Sequence, residues 1–272
     1  MKSFKFKTMT TLQSNQLLKT AAFLSAFLHL SFSAFSQEKD STKHLLNFRG
    51  SVSVTNNGFS LVPTFSLGEP AVATFFNISG KGRLSFEPEF RYSMKFRPWS
   101  LVFIWRYKLV RKEKFQLTLG THLPALNFVS GKVALGGVEQ DVIRVRRFFP
   151  VVEMIPAYKI SENFNLGIFY LFSIGLEKEL TKRNHFVSLQ PNFNHIPLGK
   201  LFYLRFNPQF YYLKLDESSG FYVAGAMTLA RQDFPFSISG MMNRAIDSDI
   251  PAKDFDWNVS LNYTFGRNYV EK

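Results

Sequence analysis

Few of the 272 residues carry reactive side chains in a pattern that chemistry requires. Cysteine is absent, which excludes disulfides, thiolate metal sites and thiol nucleophiles. Beyond Gln37 four histidines remain, His44, His122, His185 and His195, and none forms a helical metal-binding pair. Ser188 with His185 is the nearest approach to a hydrolase dyad, but residues three apart on a strand point to opposite faces. Gly80-Lys81-Gly82 followed by Ser85 is an incomplete phosphate-loop pattern that precedes a strand and reads as a turn. Glu87 and Glu89 share one strand face about 6.6 Å apart, a separation of the kind a glycosidase uses. Arg83, Arg91 and Lys95 lie on that same face and can neutralise both, so the bland reading, an interior ladder of paired charge, outweighs catalysis. Two basic clusters remain, Lys108–Lys114 and Arg144-Val145-Arg146-Arg147. Neither carries a nucleic-acid motif, and both suit lipid headgroups or lipopolysaccharide phosphates. The expectation is no catalytic centre, no cofactor, no metal and no nucleic-acid partner.

The elements that carry these residues are legible in composition and period. Basic residues outnumber acidic ones 33 to 20, and 32 phenylalanines rule out a disordered chain. Past the N-terminus no run of about 18 residues is continuously apolar, so membrane-spanning helices are excluded. Residues 1–36 read as a secretory signal, with Lys2, Lys5, Lys7 and Lys19 before the apolar run Ala21–Phe35 and cleavage expected before Gln37. Removing those four lysines leaves 29 basic against 20 acidic residues, a net charge of +9. Residues 37–44 form a polar leader to the domain expected over 45–272.

Nearly everywhere after the leader the period is two. From Arg83 to Phe96 the residues Leu84, Phe86, Pro88, Phe90, Tyr92, Met94 and Phe96 alternate with Arg83, Ser85, Glu87, Glu89, Arg91, Ser93 and Lys95. Trp99, Leu101, Phe103, Trp105 and Tyr107 share a face backed by Ser100, Arg106 and Lys108. Phe202, Leu204, Phe206, Pro208, Phe210 and Tyr212 oppose Arg205, Asn207, Gln209 and Tyr211, and Phe255 to Phe265 repeats the pattern. Turn-forming clusters recur at hairpin spacing, among them Asn56-Asn57-Gly58, Arg97-Pro98 and Asp216–Gly220. Longer polar connections are expected at 127–146, 176–184 and 243–253. The count is twelve strands, or thirteen if 46–55 and 58–67 both pair. Five Pro-x-aromatic tripeptides, at Pro63, Pro88, Pro156, Pro191 and Pro208, place proline on the apolar face, where a lost ladder bond predicts a bulge or a rim.

Strands of nine to fourteen residues exceed the usual five or six and match the length that crosses a bilayer obliquely. The aromatic apolar face predicts contact with lipid through Phe86, Phe90, Tyr92, Trp99, Phe103, Trp105, Phe206, Phe210, Trp257 and Tyr263. The opposite face predicts a lumen lined by Arg83, Glu87, Glu89, Arg91, Lys95, Arg106, Lys108, Glu153, Arg205, Asn207 and Gln209. Lipid tolerates a sheet only when its edges are closed, so the expected fold is all-β, a single closed antiparallel transmembrane barrel of about twelve strands.

With its signal segment, girdled strands and final Trp257–Phe265 strand, the chain resembles the outer-membrane β-barrel proteins of Gram-negative bacteria. That resemblance implies export to the outer membrane, contact with its lipid and lipopolysaccharide, and recognition of the last strand by the barrel-insertion machinery. It departs from the family pattern in carrying Gly266–Lys272 after Phe265, so that Tyr269 is a second candidate for the terminal aromatic. The leading functional expectation is a non-enzymatic narrow pore for small solutes, preferentially anions because of the basic lumen. Alternatives are a structural or adhesive barrel presenting surface loops, and a barrel enzyme acting on lipid or lipopolysaccharide.

Overall fold

The computed structural model describes residues 45–62, 65–135, 138–177 and 181–270; the signal segment and the leader lie outside them. Twelve strands follow one another: β1 (Leu45–Thr55), β2 (Ala71–Ser79), β3 (Leu84–Ser93), β4 (Pro98–Arg111), β5 (Phe115–Leu135), β6 (Val138–Lys159), β7 (Phe164–Gly175), β8 (Arg183–Leu198), β9 (Phe202–Leu215), β10 (Ser218–Arg231), β11 (Phe236–Ser248) and β12 (Phe255–Val270). Each pairs antiparallel with the next, and β12 returns to β1 through Leu45↔Val270 to Thr55↔Ser260. The sheet is a closed barrel without an edge. The last strand runs past Phe265, and Tyr269 pairs with Leu46 on the outward face.

Alternation decides what each face meets. Along β9 the inward Tyr211, Leu213 and Leu215 are buried, whereas the outward Phe210 is 54% exposed. The outward Phe221, Ile238, Met242, Trp257 and Leu261 are likewise about half exposed. Fully burying such a side chain is worth roughly 1.5–3 kcal/mol, so a wall of this kind is stable only where hydrocarbon covers it.

Rings also brace that wall. Phe236 packs on Tyr263 at 5.0 Å, Tyr263 on Phe265 at 5.9 Å, and Phe265 on both Phe48 and Phe76. The row continues through Phe90 and Phe103 to Phe86, which stacks on Trp105 at 4.3 Å. Gly50 lies beneath it, and a Cβ there would meet the Phe265 ring at 2.5 Å. The glycine admits the ring, and the ring covers the backbone the glycine leaves bare.

Several expectations change in detail. Of the five prolines Pro63 lies outside the described residues; Pro88, Pro191 and Pro208 sit at mid-strand, not at a rim, and Pro156 three residues before the end of β6, as expected near a rim. Pairing skips from Phe75↔Glu89 to Ile78↔Phe86 at Pro88, and from Met154↔Tyr170 to Ala157↔Gly167 at Pro156. Pro191 and Pro208 share one gap, between Leu189↔Phe210 and Phe193↔Phe206. Register is the same on both sides of every gap, so each missing N–H interrupts the ladder without shifting it. Strand β3 ends at Ser93, and the turn after it holds Lys95 and the 90% exposed Phe96 at φ 60°. The stretch 127–146 is the extension of the β5–β6 hairpin, and much of 243–253 belongs to β11.

The two ends differ. Segments 56–62, 65–70, 94–97, 176–177, 181–182, 216–217, 249–254 and the long β5–β6 hairpin lie at one end; 80–83, 112–114, 160–163, 199–201 and 232–235 lie at the other, beside Leu45 and Val270. Membrane barrels place short turns in the periplasm and longer loops outside. That rule orients the chain.

Candidate functional site: the barrel interior

The segment joining β1 to β2 folds into the outer half of the lumen. Its base is cinched by backbone hydrogen bonds from Gly58 N–H to the Glu69 carbonyl (2.8 Å) and from Leu67 N–H to the Gly58 carbonyl (2.7 Å). Gly58 lets the turn lie close, since a Cβ there would stand 3.1 Å from Ala71 and from the Trp99 ring. Trp99 Nε1 donates to the Phe65 carbonyl at 2.6 Å, and the Phe65 ring packs on Phe148 at 5.1 Å. Tyr211 Oη lies 2.9 Å from the Leu61 carbonyl. Leu61 and Val62 press on an apolar cluster of Phe186, Tyr211, Leu213, Leu215, Tyr222 and Ile250, in which Tyr211 and Tyr222 stack at 4.8 Å. The outer half is a packed core inside a barrel.

Trp99 therefore does not face lipid, contrary to its parity in the sequence. Pairing passes from Arg91↔Ser100 to Tyr92↔Pro98, so Trp99 is the extra residue of a β-bulge and turns inward, 5% exposed. Phe86, Phe103, Trp105, Phe206, Phe210, Trp257 and Tyr263 keep the outward positions.

Below the packed segment lies a buried charge network. Arg106 on β4 reaches Glu153 with Nε to Oε2 at 2.7 Å and Nη2 to Oε1 at 3.1 Å, while Nη1 donates to Glu87. Ser85 Oγ donates to Glu87 at 2.7 Å, and His122 Nε2 stands 2.7 Å from Glu153 Oε1. The Glu153 side chain is 1% exposed. Gly120 makes room for it, since a Cβ there would approach Glu153 Oε2 to 2.6 Å. Glu89 pairs with Arg91, whose guanidinium carbon lies 5.3 Å from the Trp99 ring centre and 5.6 Å from that of Phe75. Between this network and the packed segment remains a cavity of about 350 Å³, polar toward Arg91, Arg106 and Asn127, and apolar toward Phe65, Phe148 and Phe169.

The periplasmic half is different again. Asn192 Nδ2 donates to Asn165 Oδ1 and Asn207 Nδ2 to Asn192 Oδ1, both at 2.9 Å, and Ser188 Oγ donates to Gln209 at 3.2 Å. Arg205 Nη2 donates to Tyr203 Oη at 3.0 Å, and Tyr203 stacks on His195 at 4.6 Å. Lys108 faces Thr118, Arg49 faces Asn77 and Lys159 faces Asn165 at inward register positions. Among the described residues no carboxylate lies within ion-pair distance of Arg49, Lys108, Lys159 or Arg205.

The sequence-predicted residues thus separate into three groups. Glu87, Glu89, Arg91, Arg106 and Glu153 meet at mid-barrel, and Lys108, Arg205, Asn207 and Gln209 line the lumen around and below them. Arg83, just before β3, continues the register opposite Lys108, whose N–H its carbonyl accepts at 2.9 Å, and its side chain donates to the Leu109 carbonyl at the barrel mouth. Lys95 falls outside the lumen, in an exposed turn 3.6 Å from Glu69. It was placed by extending one alternation past the end of its strand. His122, Arg49, Lys159 and the inward segment were missed; the first three occupy inward parity, but on strands whose alternation is weak.

No family model matches the chain, and no curated protein matches it. Solved structures with similar geometry include a KdgM porin in complex with disordered oligogalacturonate (8% identity, 81% of this chain and 99% of that one, TM-score 0.47). An outer membrane channel from Pseudomonas putida F1 aligns with 8% identity over 86% of this chain and 98% of that one, at a TM-score of 0.44. A NanC porin aligns with 10% identity over 84% of this chain and 100% of that one, at 0.43. The assignment itself rests on the chain's own closed pairing and apolar outer wall. The chain is a closed, twelve-stranded antiparallel β-barrel of the membrane-spanning kind.

Proposed function

We propose that the barrel is a narrow pore for small anionic solutes, closed in this conformation by the segment between β1 and β2. The observation that carries the reading is the periplasmic vestibule. Its inward cations Arg49, Lys108, Lys159 and Arg205 have no carboxylate partner among the described residues, whereas the mid-barrel cations are paired, Arg91 with Glu89 and Arg106 with Glu87 and Glu153. Fixed positive charge in a low-dielectric passage concentrates anions. Twelve strands lie between the eight that side chains fill and the sixteen that leave an open channel, so one inward segment suffices to close the path.

Planar-bilayer recording in a potassium chloride gradient tests this. The native barrel is expected to open rarely. A variant in which Gly58 is joined to Leu67 through two glycines, a junction that their 2.7 Å hydrogen bond makes short, is expected to conduct steadily. Its reversal potential should lie toward chloride and move back on Arg205→Glu. Cation selectivity would overturn the anionic assignment.

A second reading is favoured by the β5–β6 hairpin. Pairing with β4 reaches only Ser100↔Asn127 and pairing with β7 only Phe148↔Gly175, yet the hairpin pairs with itself up to Leu135↔Val138. A barrel of this shape can be a closed platform that presents the hairpin outside the cell. Absence of conductance from the excised variant would favour it.

A further inference from the structure

On the outer wall the apolar row of β9 runs through Phe202, Leu204, Phe206, Pro208, Phe210 and Tyr212 and ends at Lys214. Ten strand steps, tilted as barrel strands are, rise about 25 Å, which is the height of the hydrocarbon band. Lys214 therefore stands at the outer headgroup level. Register sets His185 of β8 beside it, and Arg183 follows two residues farther out. The intervening Asn184, Leu213 and Leu215 are buried inward, which fixes the outward aim of all three. Tyr170 Oη lies 3.1 Å from His185 Nδ1, and the Phe172 ring lies 4.9 Å from the imidazole.

Two acids of this rim are engaged elsewhere, and Glu217 is exposed in the β9–β10 turn. The Asp216 carboxylate accepts the backbone N–H groups of Lys182 and Arg183, and Glu177 is held by Arg147. Among the described residues no carboxylate is within ion-pair distance of Arg183 or Lys214. An unneutralised guanidinium and ammonium on adjacent strands match a phosphate monoester, which the arginine fork grips through two oxygens.

We propose that Arg183, His185 and Lys214 bind a phosphate of the lipid A headgroup of lipopolysaccharide, with Tyr170 and Phe172 against its glycolipid body. The site is on the outer wall and does not depend on whether the lumen conducts.

The test uses the barrel folded in detergent, with bisphosphorylated lipid A as probe and native mass spectrometry as readout. One lipid A should remain bound per barrel. The Arg183→Ala/Lys214→Ala variant should bind about 25-fold more weakly, about five-fold for each cation at a charged membrane surface. Arg231→Ala, at the opposite rim, should bind as the native barrel does, and heat-modifiable gel mobility should show that both variants are folded. Equal binding of dephosphorylated lipid A, or native affinity in the double variant, would overturn the proposal. Displacement of lipid A by millimolar inorganic phosphate would overturn the lipid assignment in favour of a free-anion site.

Discussion

Strand β9 passes through two interiors. From Tyr203 to Gln209 its inward residues are tyrosine, arginine, asparagine and glutamine facing a polar vestibule; from Tyr211 to Leu215 they are tyrosine and leucines sealed under Leu61 and Val62. Its outward face is apolar from Phe202 to Tyr212, and its pairing with β10 runs unbroken through both halves. Ladder closure and the lipid-facing wall thus hold the barrel regardless of what fills it, which leaves the interior free to be core in one half and water-lined passage in the other. In a soluble domain the core is the condition of folding; here it is an addition to a wall already complete.

Where the two interiors meet, the charge network is the most sensitive point. Replacing Glu153 by alanine leaves Arg106 with one carboxylate instead of two and His122 without its acceptor. Breaking a buried pair on one side costs about 3–5 kcal/mol. Urea unfolding of the folded barrel in micelles should show a loss of that order for Glu153→Ala. A loss under 1 kcal/mol would mean that water already solvates the network, and that the boundary is wetter than its geometry implies.

Next in size comes the contrast between wall and lumen. Phe206 stacks on Phe193 midway along the outward row of β9, and Asn207 beside it faces the vestibule. An arginine at the lipid-facing position should cost about 2–4 kcal/mol. Asn207→Arg, one residue away, should cost less than 1 kcal/mol by the same measurement, because water reaches it. Equal costs would erase the distinction between the faces.

Sequence alone carried the wall much further than the filling. Strand number, closure and the outward aromatic rows follow from period two, since a single slip would turn every residue of a strand to the wrong face. Trp99 was misplaced because a bulge costs one residue of parity and leaves no mark in composition. Lys95 was misplaced because alternation continues into a turn that has no lumen beside it. Glu87 and Arg106 were readable as inward, but their meeting with Glu153 and His122 depends on register across four strands. The inward course of the β1–β2 connection was illegible for a further reason: a segment in which Phe59, Leu61 and Phe65 alternate with Ser60 and Ser66 reads equally as a strand, and only the space inside a twelve-stranded barrel decides otherwise.

That segment can be loosened without touching the wall. Trp99→Phe preserves the ring against Gly58 and Arg91 but removes the donor to the Phe65 carbonyl, at a net cost of about 1 kcal/mol. Because the chain has no cysteine, Ser60→Cys is a single thiol reporter on the segment. Its reaction with a water-soluble maleimide should quicken about five-fold in the Trp99→Phe background, the factor that 1 kcal/mol represents. An unchanged rate would mean that the apolar contacts of Leu61 and Val62 hold the segment by themselves.

The smallest expected effect lies at the outer rim and sharpens the comparison by its weakness. Partial burial of Glu177 disfavours its ionised form, yet hydrogen bonds from the Arg147 guanidinium and backbone N–H outweigh that and hold its carboxyl below the ordinary value. A carboxyl depressed in the folded state contributes stability that is fully present above its unfolded pKa, near 4.3, and is lost as pH falls through the lower folded value. Since the pair faces water, the contribution is about 0–1 kcal/mol. The native barrel and Glu177→Gln should therefore differ slightly in unfolding midpoint at pH 6, and the difference should close as the pH is lowered below 4. Salt should shrink it too, with a screening length of about 10 Å at 0.1 M. If the difference instead persists at low pH, the bonds from Arg147 act through geometry and not through charge, and the rim would then belong with the packed outer half.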